Sequence, residues 1–199
     1  MTDRPRRAPR PDERKLDAER TRRLLLEAAL EEFSAKGLAG ARVQDIADRA
    51  GVNKQLISYH FGGKEGLFEA LLRRWHEEEA GFNDPDVPLD ELVVRYLHSS
   101  LDDPRGSRLN AWCGLTDPCP DPADIPREDL SDMERRQAAG QIAADLDPAA
   151  VLLALMAMVA APTVMPGAAV RAFGIDPRSP EFRERYAEQL RRIVRHLAG

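Results

Sequence analysis

Lys54, Gln55, Leu56, Ser58 and Tyr59 stand together in the stretch RVQDIADRAGVNKQLISYHF, residues 42–61. Long polar and aromatic side chains this dense on one short segment suit the major groove of a duplex and its phosphates. They make a reading surface rather than a folding surface.

Two short helices joined at one glycine are needed to hold them. Val43, Ile46, Ala47 and Ala50 recur at the spacing of a buried helical face, with Asp45, Asp48 and Arg49 turned outward. Gly51 supplies the positive φ of a tight turn, and Asn53 can cap the second helix with its side-chain oxygen. Val52 and Ile57 point back into the core. The alternative is a short helical hairpin inside an unrelated helical core. The flanks weigh against it. Upstream, TRRLLLEAALEEFSAKG reads as one amphipathic helix with Leu25, Leu26, Ala29, Leu30 and Phe33 inward and Gly37 as its stop. Downstream, Gly62 and Gly63 precede a helix opened by Lys64 and Glu65, with Leu67, Phe68, Leu71, Leu72 and Trp75 at helical spacing.

On these residues the run from about Arg20 to Trp75 resembles the N-terminal DNA-binding domain of the TetR family of transcriptional regulators. The pattern comprises Ala28, Ala29, Phe33 and Gly37, then Val43, Asp45, Ile46, Ala47, Ala50, Gly51 and Val52, then Tyr59, His60, Phe61, Lys64, Glu65 and Leu67. The resemblance implies that Lys54, Gln55, Leu56 and Ser58 face base edges while Tyr59, His60 and Lys64 hold the phosphate backbone. Arg42 and Gln44 complete the DNA-binding set. Two positions depart from the family pattern. Ser58 replaces a tyrosine and shortens one contact. Arg42 replaces the usual Ser or Thr, losing a capping hydroxyl but gaining a fork that can reach a phosphate, or serving as a solvated surface charge.

Charge divides the chain. Residues 1–60 hold 13 Lys plus Arg against 10 Asp plus Glu, whereas the remainder holds 16 against 24. An acidic protein with a basic head binds DNA at one end. Residues 1–16 are expected to be a disordered basic arm, with Arg4, Arg6, Arg7 and Arg10 either along phosphates or merely solubilising. The expected division is then a helix-turn-helix domain over 17–63 and an effector-binding and dimerisation domain over 64–199. The body carries most of the 25 arginines, so their excess over 4 lysines reflects genomic base composition more than phosphate affinity.

Beyond the head, helix follows helix and no strand alternation occurs, so the fold class is all-α. Helices are expected around Leu89–Leu101, Leu109–Leu115, Arg127–Leu146, from Pro148, and over Pro180–Leu197, with a loop over Thr116–Pro126 and a broken segment through Pro162 and Pro166. On the last helix Phe182, Tyr186, Leu190, Ile193, Val194 and Leu197 face inward, with Arg183, Arg185, Arg191 and Arg192 largely outward. The apolar run from Ala149 to Met165 is shorter than the roughly 20 residues a membrane span needs and contains Pro162. A buried interface helix is expected, with no membrane. The start of the chain has no apolar signal region, so a cytoplasmic location is expected.

The resemblance further implies a homodimer through the last two long helices, which sets two recognition helices about 34 Å apart on an inverted repeat. It also implies a small-molecule effector between head and interface. Candidate lining residues are Trp75, Tyr96, Trp112, Cys113, Met133 and Met156, each with core packing as its alternative. An apolar or aromatic effector is expected, and repression relieved by it. No cofactor is expected, and no metal. His60, His76, His98 and His196 are scattered and no metal-binding or catalytic spacing occurs, so the chain is not expected to be an enzyme. Two further readings stay open: a redox sensor using Cys113 and Cys119, and a regulator that answers only to a protein partner.

Overall fold

The computed structural model describes the backbone of residues 11–115 and 127–198, and the side chains of 16–75, 82–115 and 127–198. Among the described residues there are ten α-helices and no strand. The chain divides into two compact units, the first ending at Arg74 and the second starting at Trp75.

The first unit contains α1 (Pro11–Gly40), α2 (Val43–Ala50), α3 (Gln55–Phe61) and the opening of α4 (Lys64–Phe82). Its boundary falls later than the Lys64 expected, because Leu67, Ala70 and Leu71 at the start of α4 are buried with the helices before it. α1 starts at Pro11, inside the stretch read as an arm. Proline followed by acidic Asp12 and Glu13 favours a helix's first turn. The rest of the expected arm, 1–10, lies outside the described residues. Gly37 interrupts α1 with φ 68° and ψ 174°, and one further turn closes on it through the Ala41 N–H to the Gly37 carbonyl at 3.1 Å.

Leu25, Ala29 and Phe33 of α1, Ile46 and Ala47 of α2, Ile57 of α3 and Leu67 of α4 are fully buried. The Phe33 and Phe68 rings meet edge to face with centroids 5.2 Å apart. Truncating a ring buried like that of Phe33 costs about 3–5 kcal/mol. At the start of α4, a Cβ on Gly66 would lie 1.9 Å from the Phe61 carbonyl oxygen. Only glycine lets α4 begin so close to the end of α3.

The second unit contains the end of α4, then α5 (Leu89–Asp102), α6 (Arg105–Leu115), α7 (Ser131–Ala138), α8 (Pro148–Val164), α9 (Pro166–Phe173) and α10 (Pro180–His196). α5 packs on α8 and α10, while α6 and α7 lie against α8. Val93, Leu97, Val151, Leu155, Leu190 and Val194 join in one core. The starts of α8 and α10 have matching chemistry. Asp147 accepts from the Ala149 N–H at 2.8 Å and Ser179 from the Phe182 N–H at 3.2 Å, each followed by a proline.

Several boundaries differ from expectation. α6 starts at Arg105, earlier than Leu109, after an Asp103 carboxylate that accepts from the Arg105 N–H at 3.1 Å. α7 is shorter than the expected Arg127–Leu146: residues 127–130 are not helical, and the chain leaves the helix before Gly140, whose φ is 75°. Pro162 does not break α8. The break falls at Met165, with φ −123° and ψ 54°, where the following Pro166 disfavours helical backbone, and α9 leaves at 89°. On α10, Ile193 is 46% exposed rather than inward, and Arg191 is half-buried, donating to Glu91 at 2.9 Å and Glu188 at 3.1 Å. Among the described residues no single helix is long and apolar enough to cross a membrane.

Arg136 is the largest fully buried side chain. Its guanidinium donates to Asp132 and to the Val87 carbonyl, both at 2.8 Å, and to Gln141 and the Asp84 carbonyl at 3.2 Å. Gln141 in turn accepts from the Leu89 N–H at 2.8 Å, which opens α5. One cation thus fastens the 84–88 connection, α5 and α7 together.

Candidate nucleic-acid interface and ligand cavity

The recognition segment is built by the turn that the sequence predicts. Gly51 adopts φ 67° and ψ 30°, ending α2, and the Val52 N–H reaches the Ala47 carbonyl at 3.0 Å. Asn53 accepts from the Gln55 N–H at 2.9 Å, capping the start of α3. Ile57, with no exposure, pins α3 to the core and turns the opposite face outward.

Lys54, Gln55, Ser58 and Tyr59 are exposed on that face, while Leu56 and His60 are half-buried. Tyr59 is 80% exposed, its ring edge to face with His60 at 4.9 Å. A phenol left this open contributes little to folding, so its surface is available for a partner. Arg42 and Gln44 are exposed at the start of α2. Arg42 provides no side-chain cap to α2, as its type dictates, and Gln44 donates to Asp48 at 2.7 Å. Lys64 is half-buried. Its ammonium donates to the Leu38 carbonyl at 2.9 Å and the Ala41 carbonyl at 3.3 Å, tying the end of α1 to the start of α4.

The second unit contains a cavity of about 460 Å³. Of the predicted ligand residues, Trp75, Tyr96, Met133 and Met156 line it. Trp112 and Cys113 do not: α6 presents Gly106, Ser107 and Asn110 to the cavity, and those two residues lie further along, half-buried. The lining is more polar than the sequence suggested, because α5, α6 and the turn between them add Ser99, Ser100, Asp103, Ser107 and Asn110. The loop over 116–126, and with it Cys119, lies outside the described residues, so the redox pairing with Cys113 has no described geometry.

Known proteins share the helical fold. The family profile described as bacterial regulatory proteins, tetR family, matches residues 25–71. A second, the tetracyclin repressor-like C-terminal domain, matches residues 88–195, more than half of the chain. The chain belongs to the tetR family. Among curated relatives, the HTH-type transcriptional regulator RutR of Escherichia coli is 37% identical over 95 residues, covering 44% of this chain and 45% of RutR. The HTH-type transcriptional repressor SCO4008 of Streptomyces coelicolor is 37% identical over 101 residues, 50% of this chain and 52% of that protein. The chain therefore spans about half the length of the curated relatives it matches. The solved structure of SCO4942, a candidate transcriptional regulator of Streptomyces coelicolor, aligns with a TM-score of 0.69 at 28% identity, over 88% of this chain and 97% of that one.

Two features of this tetR-family head escape sequence reasoning. Glu32 is a buried carboxylate. It pairs with Lys36 and lies 3.9 Å from Arg49 of α2, while Lys36 also donates to Asp45 at 3.1 Å. The Glu32 carboxylate, and then that of Asp45, hold the Lys36 ammonium above its ordinary pKa, and Lys36 holds Asp45 below its own. The signal was present, since Glu32 sits three and four residues after Ala29 and Ala28 on the apolar stripe. The second feature is Arg22, whose guanidinium lies 4.7 Å from the centroid of the Phe61 ring and donates to the His60 carbonyl at 3.4 Å. Nothing in the sequence links an outward arginine of α1 to the end of α3.

Proposed function

We propose that this tetR-family protein is a homodimeric repressor that reads an inverted-repeat operator with α3 and is released by a small, mainly apolar effector. The observation that carries the reading is the face of α3, where Lys54, Gln55, Ser58 and Tyr59 are exposed opposite a fully buried Ile57. Lys54, Gln55, Leu56 and Ser58 are assigned to base edges, and Arg42, Gln44, Tyr59, His60 and Lys64 to positioning on the second helix and the phosphates.

Dimerisation through α8 and α10 is supported by apolar side chains that those helices leave open. Leu153 is 69% exposed and Ile193 46%. A second copy related by a two-fold axis would cover them. The cavity of about 460 Å³ is of a size that takes a small molecule, with Trp75, Tyr96, Met133 and Met156 as its aromatic and thioether walls. Release follows if the effector fits the conformation that spreads the heads better than the DNA-bound one, and linkage then makes operator DNA weaken effector binding equally. A cytoplasmic location would fit a protein that works on DNA.

Affinity selection against random duplex DNA tests this reading. One enriched inverted repeat is expected, with Lys54→Ala and Gln55→Ala each losing about 1–3 kcal/mol at particular base pairs. Absence of any symmetric site, or a monomer at every concentration in sedimentation, would overturn it.

A further inference from the structure

The charge around the cavity narrows what it can hold. Twenty described residues line it, and Lys, Arg and His are absent among them, whereas Asp103 and Glu128 are present. Two positive features lie next to it in the chain, the Arg105 guanidinium and the N-terminal end of α6, and the same carboxylate engages both. Asp103 accepts from Arg105 Nε at 2.8 Å and Nη2 at 2.7 Å, and from the Arg105 N–H at 3.1 Å. Those contacts hold the Asp103 carboxyl below its ordinary pKa, the Arg105 side chain first among the causes, so it is ionised at neutral pH. The sequence of 76–81 and 116–126 carries three glutamates, three aspartates and one histidine, His76, and neither lysine nor arginine. Glu128 leaves the lining with an excess negative charge.

Burial sorts the lining into a body and a rim. Leu89, Leu92, Val93, Met133 and Leu155 are buried, and Ser99, Asp103, Asn110 and Glu128 are exposed. Between them, Ser107 shares a hydrogen bond of 2.8 Å with the buried Ser100. An apolar body is therefore desolvated against the deep residues, while its polar head stays at a rim of hydroxyls, an amide and carboxylates.

We propose that the effector is a non-anionic amphiphile: an apolar ring or chain ending in a hydroxyl or amine that hydrogen-bonds at the Ser107, Asn110 and Asp103 rim. This rests on the cavity being the effector site. A carboxylate or phosphate head would meet Asp103 and Glu128, with the neighbouring Arg105 guanidinium already engaged by Asp103. The rim is wet, so the discrimination is moderate, about tenfold per unit of charge, and it shrinks as salt rises.

The test is calorimetric titration of the full-length protein with the alcohol, amine and carboxylate of matched naphthyl, biphenyl and phenylpropyl skeletons. Alcohols and amines are expected to bind about tenfold or more tightly than the carboxylate of the same skeleton. Asp103→Asn, which can still cap α6, removes the charge but keeps hydrogen-bonding groups, so it should weaken the amine several-fold more than the alcohol of the same skeleton. Carboxylates binding as tightly as amines would overturn the charge inference and leave the cavity reading intact. Binding that survives filling the cavity by Ser107→Phe, or no binding by any skeleton, would sink the cavity reading and the inference with it.

Discussion

Tyr186 donates its hydroxyl hydrogen to the Met158 carbonyl at 2.8 Å. Met158 lies four residues before Pro162, so in a regular helix its carbonyl would accept from residue 162, and proline has no N–H to give. The phenol of α10 supplies the donor that α8 lacks, and burial raises the Tyr186 pKa, keeping it protonated. Helix α8 runs through its internal proline to Val164 with this bond in place.

Tyr186→Phe is expected to lower unfolding stability by about 1–2 kcal/mol, the cost of a half-buried carbonyl left unpaired. Restoring the backbone donor with Pro162→Ala should reduce that cost, because Met158 then has a partner in its own helix. A double-mutant cycle in urea reads the coupling directly. Equal losses in both backgrounds would show that the phenol and the proline are independent.

Arg136→Met should be the most damaging single change in the second unit. It keeps much of the side-chain volume but leaves Asp132, Gln141 and the Val87 and Asp84 carbonyls without their shared cation, at a cost of about 3–5 kcal/mol. Denaturant titration measures the loss. A parallel Arg136→Lys should recover only part of it, since one ammonium cannot match a planar fork aimed at several acceptors.

These two sites mark the limit of what the sequence discloses. Periodicity located α2, α3, α5 and α10, and punctuation located Gly51 and Asn53, because those signals are local. Ile46, Ala47 and Ile57 were placed correctly in the core for the same reason. The sequence does not single out Arg136 or Arg22, since the Val87 and Asp84 carbonyls and the His60 carbonyl that they reach lie dozens of residues away and no spacing rule connects them. The extent of α7 was misread because polar helix-forming residues on both sides of a short helix look alike in composition. Ile193 was placed inward because periodicity identifies an apolar side chain without saying whether this chain covers it.

Lys64→Met separates two uses of one ammonium. The contacts to Leu38 and Ala41 are charge-assisted, so their loss should destabilise the first unit by about 1–3 kcal/mol. A phosphate contact would add a second signature, a salt slope of operator binding shallower by roughly one unit. Stability loss with an unchanged slope would restrict Lys64 to holding α1 against α4.

His98 gives the second unit an acid sensitivity. Burial, and after it the positive charge of Arg183, lowers its pKa below the ordinary value of 6.5, with Arg191 assisting and Asp102 opposing. The folded chain resists the proton that the unfolded chain accepts, so stability is full above about pH 6.5 and falls as pH drops below it. One proton sets a ceiling of about 1.4 kcal/mol per pH unit, and solvent reaching this half-buried ring keeps the slope well under it. His98→Gln cannot take up the proton and should flatten the fall in melting temperature between about pH 7 and pH 5, measured by calorimetry against the parent protein. An undiminished fall in the variant would assign the sensitivity to other groups.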